Sequence, residues 1–462
     1  MQRLFAIALL TWKAAFRFRL FLVLAVLLLA SVVALPVLIK DDGTARGFTQ
    51  ILLTYTLSTI SALLGLSTLW LACGTLARDI EECQMQVVAV KPIARWQIWL
   101  GKWLGIISLN AALLALSGAS VYGLLLWRAT RLPPDQQAIL RKEVLVARGS
   151  ARERSFDREI NAQTERLLRE RLQASPELSA DRDKVRAQIR EQIKADYQVV
   201  PPGYSSRPWE IDLGWASQSL RDRPLQLRFK FNAAQKSPSG TFDGVWRVGV
   251  PRKTRLWQSE PMSLAPETFH EFEIPPNLFD EKGLLTITFG NPNNTALLFP
   301  LEDGFEVLYR EGGFGLNFVR GLGIIFCWMA LLAALGLAAA SFLSFPVAAF
   351  FALGVLTLVL CSGTMANAVE EGSIGNYNAE KGIHGWTPAD VVVIPLFKGI
   401  LKVINLAKEF SPIDSLSTGR SITWADLARA FGQIVLLLGG IFGLFGIIVF
   451  TRRELATAQG TQ

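Results

Sequence analysis

Six stretches of this chain run with little or no charge, three near the front and three near the back: residues 20–39, 51–76, 98–127, 321–341, 346–365 and 431–450. A helix needs about 20 apolar residues to cross the hydrocarbon core of a bilayer, so each stretch reads as a membrane span. Only Phe342-Leu-Ser-Phe345 separates the fourth from the fifth, which predicts a tight helical hairpin. Ahead of the first span, Arg3, Lys13, Arg17 and Arg19 punctuate apolar residues. This basic, amphipathic segment predicts a helix lying in the interface rather than a cleaved leader.

Between the two blocks the pattern changes twice. Residues 129–200 interleave acids and bases, and Val185, Ile189 and Ile193 recur at i, i+4 and i+8, one stripe of a helix. Ile160, Leu168 and Leu172 belong to an earlier helix, and Ser175-Pro176 breaks the two apart, so this part reads as a charged helical arm or hairpin. In residues 201–318 the runs at 225–231, 245–250 and 284–289 alternate apolar and polar positions between Pro, Gly and Asn turns. Period-2 runs with such turns predict an antiparallel β-sandwich. Gly312-Gly-Phe-Gly315 is expected to turn the chain back at the membrane surface.

The last third, 319–462, holds the other three spans and one ambiguous segment, 388–410. Pro395 interrupts it, Lys398, Lys402, Asn405 and Glu409 share one helical face, and Phe397, Ile400, Leu401 and Ile404 share another. It reads as an amphipathic helix that lies in, or re-enters from, the interface outside the cytoplasm. Thr423-Trp-Ala-Asp426 has the spacing of a capping box for the last helix. The expected fold is therefore a polytopic α-helical membrane protein with six transmembrane helices, into which a helical arm (129–200) and an antiparallel β-sandwich (201–318) are inserted.

Composition agrees: 51% of the residues are hydrophobic and only 19% charged. The net charge of +8 would point to nucleic acid in a soluble protein. In a membrane protein it orients the loops, and no nucleic-acid partner is expected. Arg78, Lys91, Arg95 and Lys102 place the segment 78–102 in the cytoplasm with the amino terminus, and six spans return Arg452 and Arg453 to the same side of a plasma (inner) membrane. Cys73, Cys83, Cys327 and Cys361 lie in or beside apolar runs, so no disulfide framework is indicated, and His270 and His384 are too isolated to suggest a metal site.

Candidate chemistry is sparse. Gly101-Lys102 is followed by Trp103 and lacks the upstream glycine of a phosphate-binding loop. No cofactor is expected in this chain, and ATP, if used, is bound by another. No nucleophile–base pair or paired carboxylates point to an enzyme. In the β region Trp209, Trp215, Trp246 and Trp257 are candidates to stack on a glycan, with burial in the core as the competing reading.

The most distinctive stretch is 78–102, which joins the second and third spans. Asp79-Ile-Glu81-Glu82 is followed by Lys91-Pro92-Ile-Ala-Arg95 and then by Gly101-Lys102-Trp-Leu-Gly105 at the start of the third span. This order resembles the first cytoplasmic loop of ABC-2-type transporter permeases, the membrane subunits of ATP-binding cassette transporters. The amino-terminal amphipathic helix, the six spans and the Arg452-Arg-Glu-Leu455 end are similar too, so the resemblance covers residues 1–128 and 319–455. It implies a permease half that forms a homodimer and binds two ATPase subunits through this loop. Glu81 and Glu82 would offer charge to the ATPase, Pro92 would stiffen the turn, and Lys91 and Arg95 would pair with those acids or with lipid phosphates. The large insert departs from the family's short loop and is free to meet a substrate, a glycan or an envelope protein. The alternative is a membrane-anchored scaffold or sensor that transports nothing.

Overall fold

The computed structural model describes residues 2–17, 20–38, 44–82, 93–140, 144–174, 182–235, 237, 239–250, 253–371, 373–374, 377–378, 383–384 and 389–453. The chain forms two compact units, a helical one from residues 1–147 and 312–462 and an inserted one from 148–311.

The helical unit begins with α1 (Gln2–Arg17), α2 (Leu20–Leu38), α3 (Ala45–Glu81) and α4 (Arg95–Ala129). Thr44 starts α3, its hydroxyl accepting the Gly47 amide at 3.0 Å. Leu53, Leu57, Ile60 and Leu64 then recur at helical spacing and are all buried, which turns one stripe of α3 inward.

The insert contains two long helices, α5 (Asp157–Ala174) and α6 (Arg182–Gln198), and twelve strands lie in it or at its edges. These are β1 (Val146–Ala151), β2 (Val199–Val200), β3 (Ser205–Asp212), β4 (Leu225–Phe229), β5 (Asn232–Ala233) and β6 (Phe242–Val248). They continue with β7 (Trp257–Gln258), β8 (Met262–Leu264), β9 (His270–Ile274), β10 (Leu284–Asn291), β11 (Leu297–Leu298) and β12 (Phe305–Gly313). One sheet has the order β1-β12-β4-β9 and another the order β3-β10-β6-β7, with β8 also on β6. The pairings of β3, β4, β6, β9, β10 and β12 within these sheets are antiparallel. The short β2, β11 and β5 make a third sheet.

Alternation decides which side chains meet. Leu225, Leu227 and Phe229 of β4 and Trp246 and Val248 of β6 all point into one apolar core. Phe229 and Trp246 lie 4.5 Å apart there, and Trp209 stacks on Phe305 at 4.7 Å. The helices α5 and α6 form the expected hairpin: Ile160 and Leu168 pack on Val185, Ile189 and Ile193, with Leu301 of the β region against them.

The chain then returns to the helical unit. Gly312 and Gly313 extend β12, and Gly313 in an extended conformation caps α7 (Phe314–Ala340), so strand runs into helix without the turn expected at the glycines. After α7 come α8 (Phe345–Leu360), α9 (Ser362–Glu371), α10 (Asp390–Lys408) and α11 (Trp424–Arg452). The membrane-length stretch of α7 is 67% buried against 50% in α3 and α4 and 39% in α11, so α7 is the hub of the unit. Its small residues allow close approach: a Cβ on Gly336 would sit 2.7 Å from that of Ala72 in α3.

Among the described residues four helices, α3, α4, α7 and α11, are long and apolar enough to cross a membrane. A fifth crossing exists if α8 and α9, bent by 51° at their junction, act as one span. The other expected span is α2, whose apolar stretch Leu22–Leu35 falls short of that length among the described residues. The capping box at Thr423 and Asp426 forms as the spacing predicts. Beyond it, Phe431–Gly439 winds as a π-helix within α11, which the sequence did not announce. In α10 the residues Val391, Val392, Leu396 and Val403 are exposed, while Lys402, Asn405 and Glu409 line an open recess with Leu406.

Candidate functional site

The charged residues around 78–102 gather the ends of five helices. Lys102, buried two turns inside α4, donates to the Asp79 carboxylate at 2.5 Å and to the Thr75 carbonyl at 2.7 Å, both on the last turns of α3. A buried ammonium requires such partners, since desolvation without an anion is expensive. The pair therefore fixes the register of α3 against α4.

Glu81, at the end of α3, accepts the backbone N–H of Phe345 at 2.8 Å. Phe345 is the first residue of α8, and the Ser344 side chain gives that helix no cap. Pro346 has no N–H to satisfy, so Glu81 supplies the acceptor and the negative charge that a helix start favours. The Phe345 ring is held from two sides, by the Arg78 guanidinium at 4.4 Å and the edge of Trp70 at 5.1 Å.

Arg95 performs the complementary task. Its Nη1 donates to the carbonyls of Phe450, Thr451 and Arg453 at 3.1, 2.9 and 2.7 Å, the open end of α11. Arg453 in turn donates to the Ser341 carbonyl at the end of α7, at 3.1 Å. Cations thus close two helix C-termini and an anion opens one N-terminus, the arrangement the helix dipoles favour by roughly 0.3–1 kcal/mol each.

Gly101 and Gly105 form the seat of α1. A Cβ on Gly101 would lie 2.7 Å from that of Ile7, and one on Gly105 would lie 2.7 Å from that of Thr11. Trp12 adds a hydrogen bond from its indole to Ser108 at 2.7 Å. The outer face of α1 carries exposed Phe5, Leu9, Leu10 and Phe16.

Several expectations are revised by these contacts. Glu81 stays exposed at the end of α3 while one of its carboxylate oxygens accepts the first amide of α8, and Arg95 pairs with neither acid but with the end of α11. Glu82 is exposed at the end of α3. Lys91 and Pro92 fall in 83–92, outside the described residues. Sequence reasoning placed Asp79 in the distinctive motif and Arg453 on the cytoplasmic side but foresaw none of the contacts of Asp79, Phe345 and Arg453. Asp79 and Lys102 had a readable signal, because charges near the facing ends of two antiparallel spans are brought opposite each other.

In the inserted unit Trp209 and Trp246 are 2% and 0% exposed and belong to the core, so neither can stack on a glycan. Trp257 is half-buried against Phe272, and the side chain of Trp215 lies outside the description. Glu153 and Arg207 pair at 3.4 Å beside Trp209. Burial pushes the Glu153 carboxyl above its usual range, with Arg207 opposing, and burial lowers Arg207. On the face away from the core, Glu306 binds Arg228, Arg152 and Ser150, and Arg148 binds Glu271 and Gln226. His270 is held by Ala265 and Thr268. Among the described residues, no three His, Cys, Asp or Glu side chains gather as metal ligands would.

The fold defines a membrane-embedded helical protein carrying an inserted unit of antiparallel sheets and a helical hairpin. Comparison with models of known families, with curated proteins and with solved structures returns no match.

Proposed function

We propose that this chain is the membrane subunit of an ATP-driven exporter, a permease half that pairs with a second copy and is moved by separately encoded ATPase subunits at 78–102. The observation that carries the reading is the tie of both ends of that segment to other spans, Glu81 to α8 and Arg95 to α11. A push on the segment is then delivered to two more helices rather than absorbed in a loop. The missing phosphate-binding loop makes the ATPase a separate protein, and the similarity to ABC-2-type permeases supplies the same division of labour. In this reading α2 and the bent α8–α9 pair complete six crossings of the plasma membrane, and both termini are cytoplasmic. The insert meets cargo or an envelope partner on the other side.

The test is copurification of the full chain from its native membrane, followed by reconstitution with any ATPase recovered. The chain alone should hydrolyse no ATP, and the pair should do so. Charge reversal at exposed Glu82 should weaken the association. Recovery of envelope proteins without an ATPase would overturn the transport reading in favour of an anchored scaffold.

A further inference from the structure

An apolar groove of about 550 Å³ runs between α4 and α7, and none of the contacts described above uses it. Its α4 wall is built on Ala111, Ala115 and Ala119, one residue per turn, and Leu322 packs onto the bare backbone of Gly118. The groove reaches from Ala111 to Tyr122, eleven residues or roughly 16 Å of helix. That is about half of the ~30 Å hydrocarbon core, the depth of one leaflet.

Its two ends differ. Below the deep end, two turns before Ala111, the Trp103 indole donates to the Ala330 carbonyl at 3.0 Å and bridges the two helices. At the shallow end lies Tyr122, whose ring packs on Phe314 and Phe318 and whose hydroxyl makes no hydrogen bond among the described residues. Past Tyr122 the helix ends with an exposed Trp127 and with Arg128, which lies over the Phe48 ring of α3 at 5.6 Å, and just beyond the helix Arg131 lies over the Trp127 ring at 4.2 Å. Aromatic and basic residues together mark the headgroup level.

We infer that this groove is a binding site for one acyl chain of an anionic phospholipid from that leaflet. The chain lies along the alanine wall, the Tyr122 hydroxyl donates to an ester oxygen, and Arg128 and Arg131 attract the phosphate. A helix of a second copy fits less well, since a packed span would need contact across the whole bilayer and the groove's lining covers about half of it. The site does not depend on the transport reading.

The test uses the full chain in nanodiscs with phosphatidylglycerol carrying a photoreactive group on its acyl chain. Labels should concentrate on peptides 111–122 and 315–326. Ala115→Trp and Ala119→Trp, which fill the groove from exposed positions, should reduce labelling about tenfold. The Leu116→Trp control on the neighbouring lipid-facing surface should not. Tyr122→Phe, which removes a single hydroxyl, should weaken capture about fivefold. Labelling spread equally over exposed Phe350 and Leu360 of α8 would show annular lipid only and overturn the site. Efficient cross-linking between copies through Ala119→Cys would overturn it by showing that a second copy covers the groove, and equal capture of phosphatidylcholine would overturn the anionic specificity.

Discussion

The carboxylate of Glu81 accepts the backbone amide of Phe345 at 2.8 Å across 264 residues of sequence. It joins the end of one span to the start of another that follows the insert. The Glu81→Ala variant should lose about 1 kcal/mol, the usual effect of removing a helix cap. Glu81→Gln keeps an acceptor and should lose less. Thermal unfolding of the purified full chain would check this, and equal melting temperatures for the three proteins would refute the capping role.

Asp79 and Lys102 should respond unequally to substitution. Lys102 has a side chain only 10% exposed against 33% for Asp79. Removing the acid strands a buried cation, an effect of ~3 kcal/mol. Removing the lysine leaves a carboxylate that water can reach. Asp79→Ala should therefore destabilise more than Lys102→Met, and the double variant should be milder than Asp79→Ala alone. Additive losses in a double-mutant cycle would contradict the pairing.

Substituting Gly101 or Gly105 by Ala should lift α1 from its seat, because the new methyl would fall 2.7 Å from carbon atoms of Ile7 or Thr11. Overpacking of this kind costs roughly 1–3 kcal/mol. The measurement is maleimide labelling of Ile7→Cys, buried in the parent. It should become rapid in either glycine variant, and slow labelling in both would show that α1 is held elsewhere.

The Glu153–Arg207 pair makes the inserted unit sensitive to pH. The folded protein holds the Glu153 proton more tightly than the unfolded chain, whose carboxyl keeps its ordinary value of 4.5. The stability linked to this group is therefore fully present below that value and is lost as pH rises through the higher folded value. Glu153→Gln cannot titrate and should show a flatter profile across that window. Urea titrations of the full chain, followed by the fluorescence of buried Trp209 and Trp246, would reveal it. A parent profile that rises with pH relative to the variant would reverse the assigned direction.

Much of the fold is legible in the residues because its elements are local. Uninterrupted apolar runs produce α3, α4, α7 and α11, and period-2 runs produce β4, β6 and β10. The stripe at Val185, Ile189 and Ile193 becomes the hairpin seam, and Thr423 and Asp426 close their box. The glycines at 312–313 show the limit: without a side chain they are as compatible with an extended strand as with a turn, and β12 continues through them.

The candidate site was only half legible. Its charges stood out, and their resemblance to a known loop suggested outward use. Whether a carboxylate faces a partner or a helix end depends on which termini pack nearby, and no local pattern carries that information. By itself the sequence determined that the chain is embedded in a membrane and carries a β-rich insert, because burial of apolar surface follows period and length. Only the tertiary structure decided that Glu81 meets α8, Arg95 the end of α11, and Trp209 and Trp246 the core, because those partners are hundreds of residues or a whole sheet away.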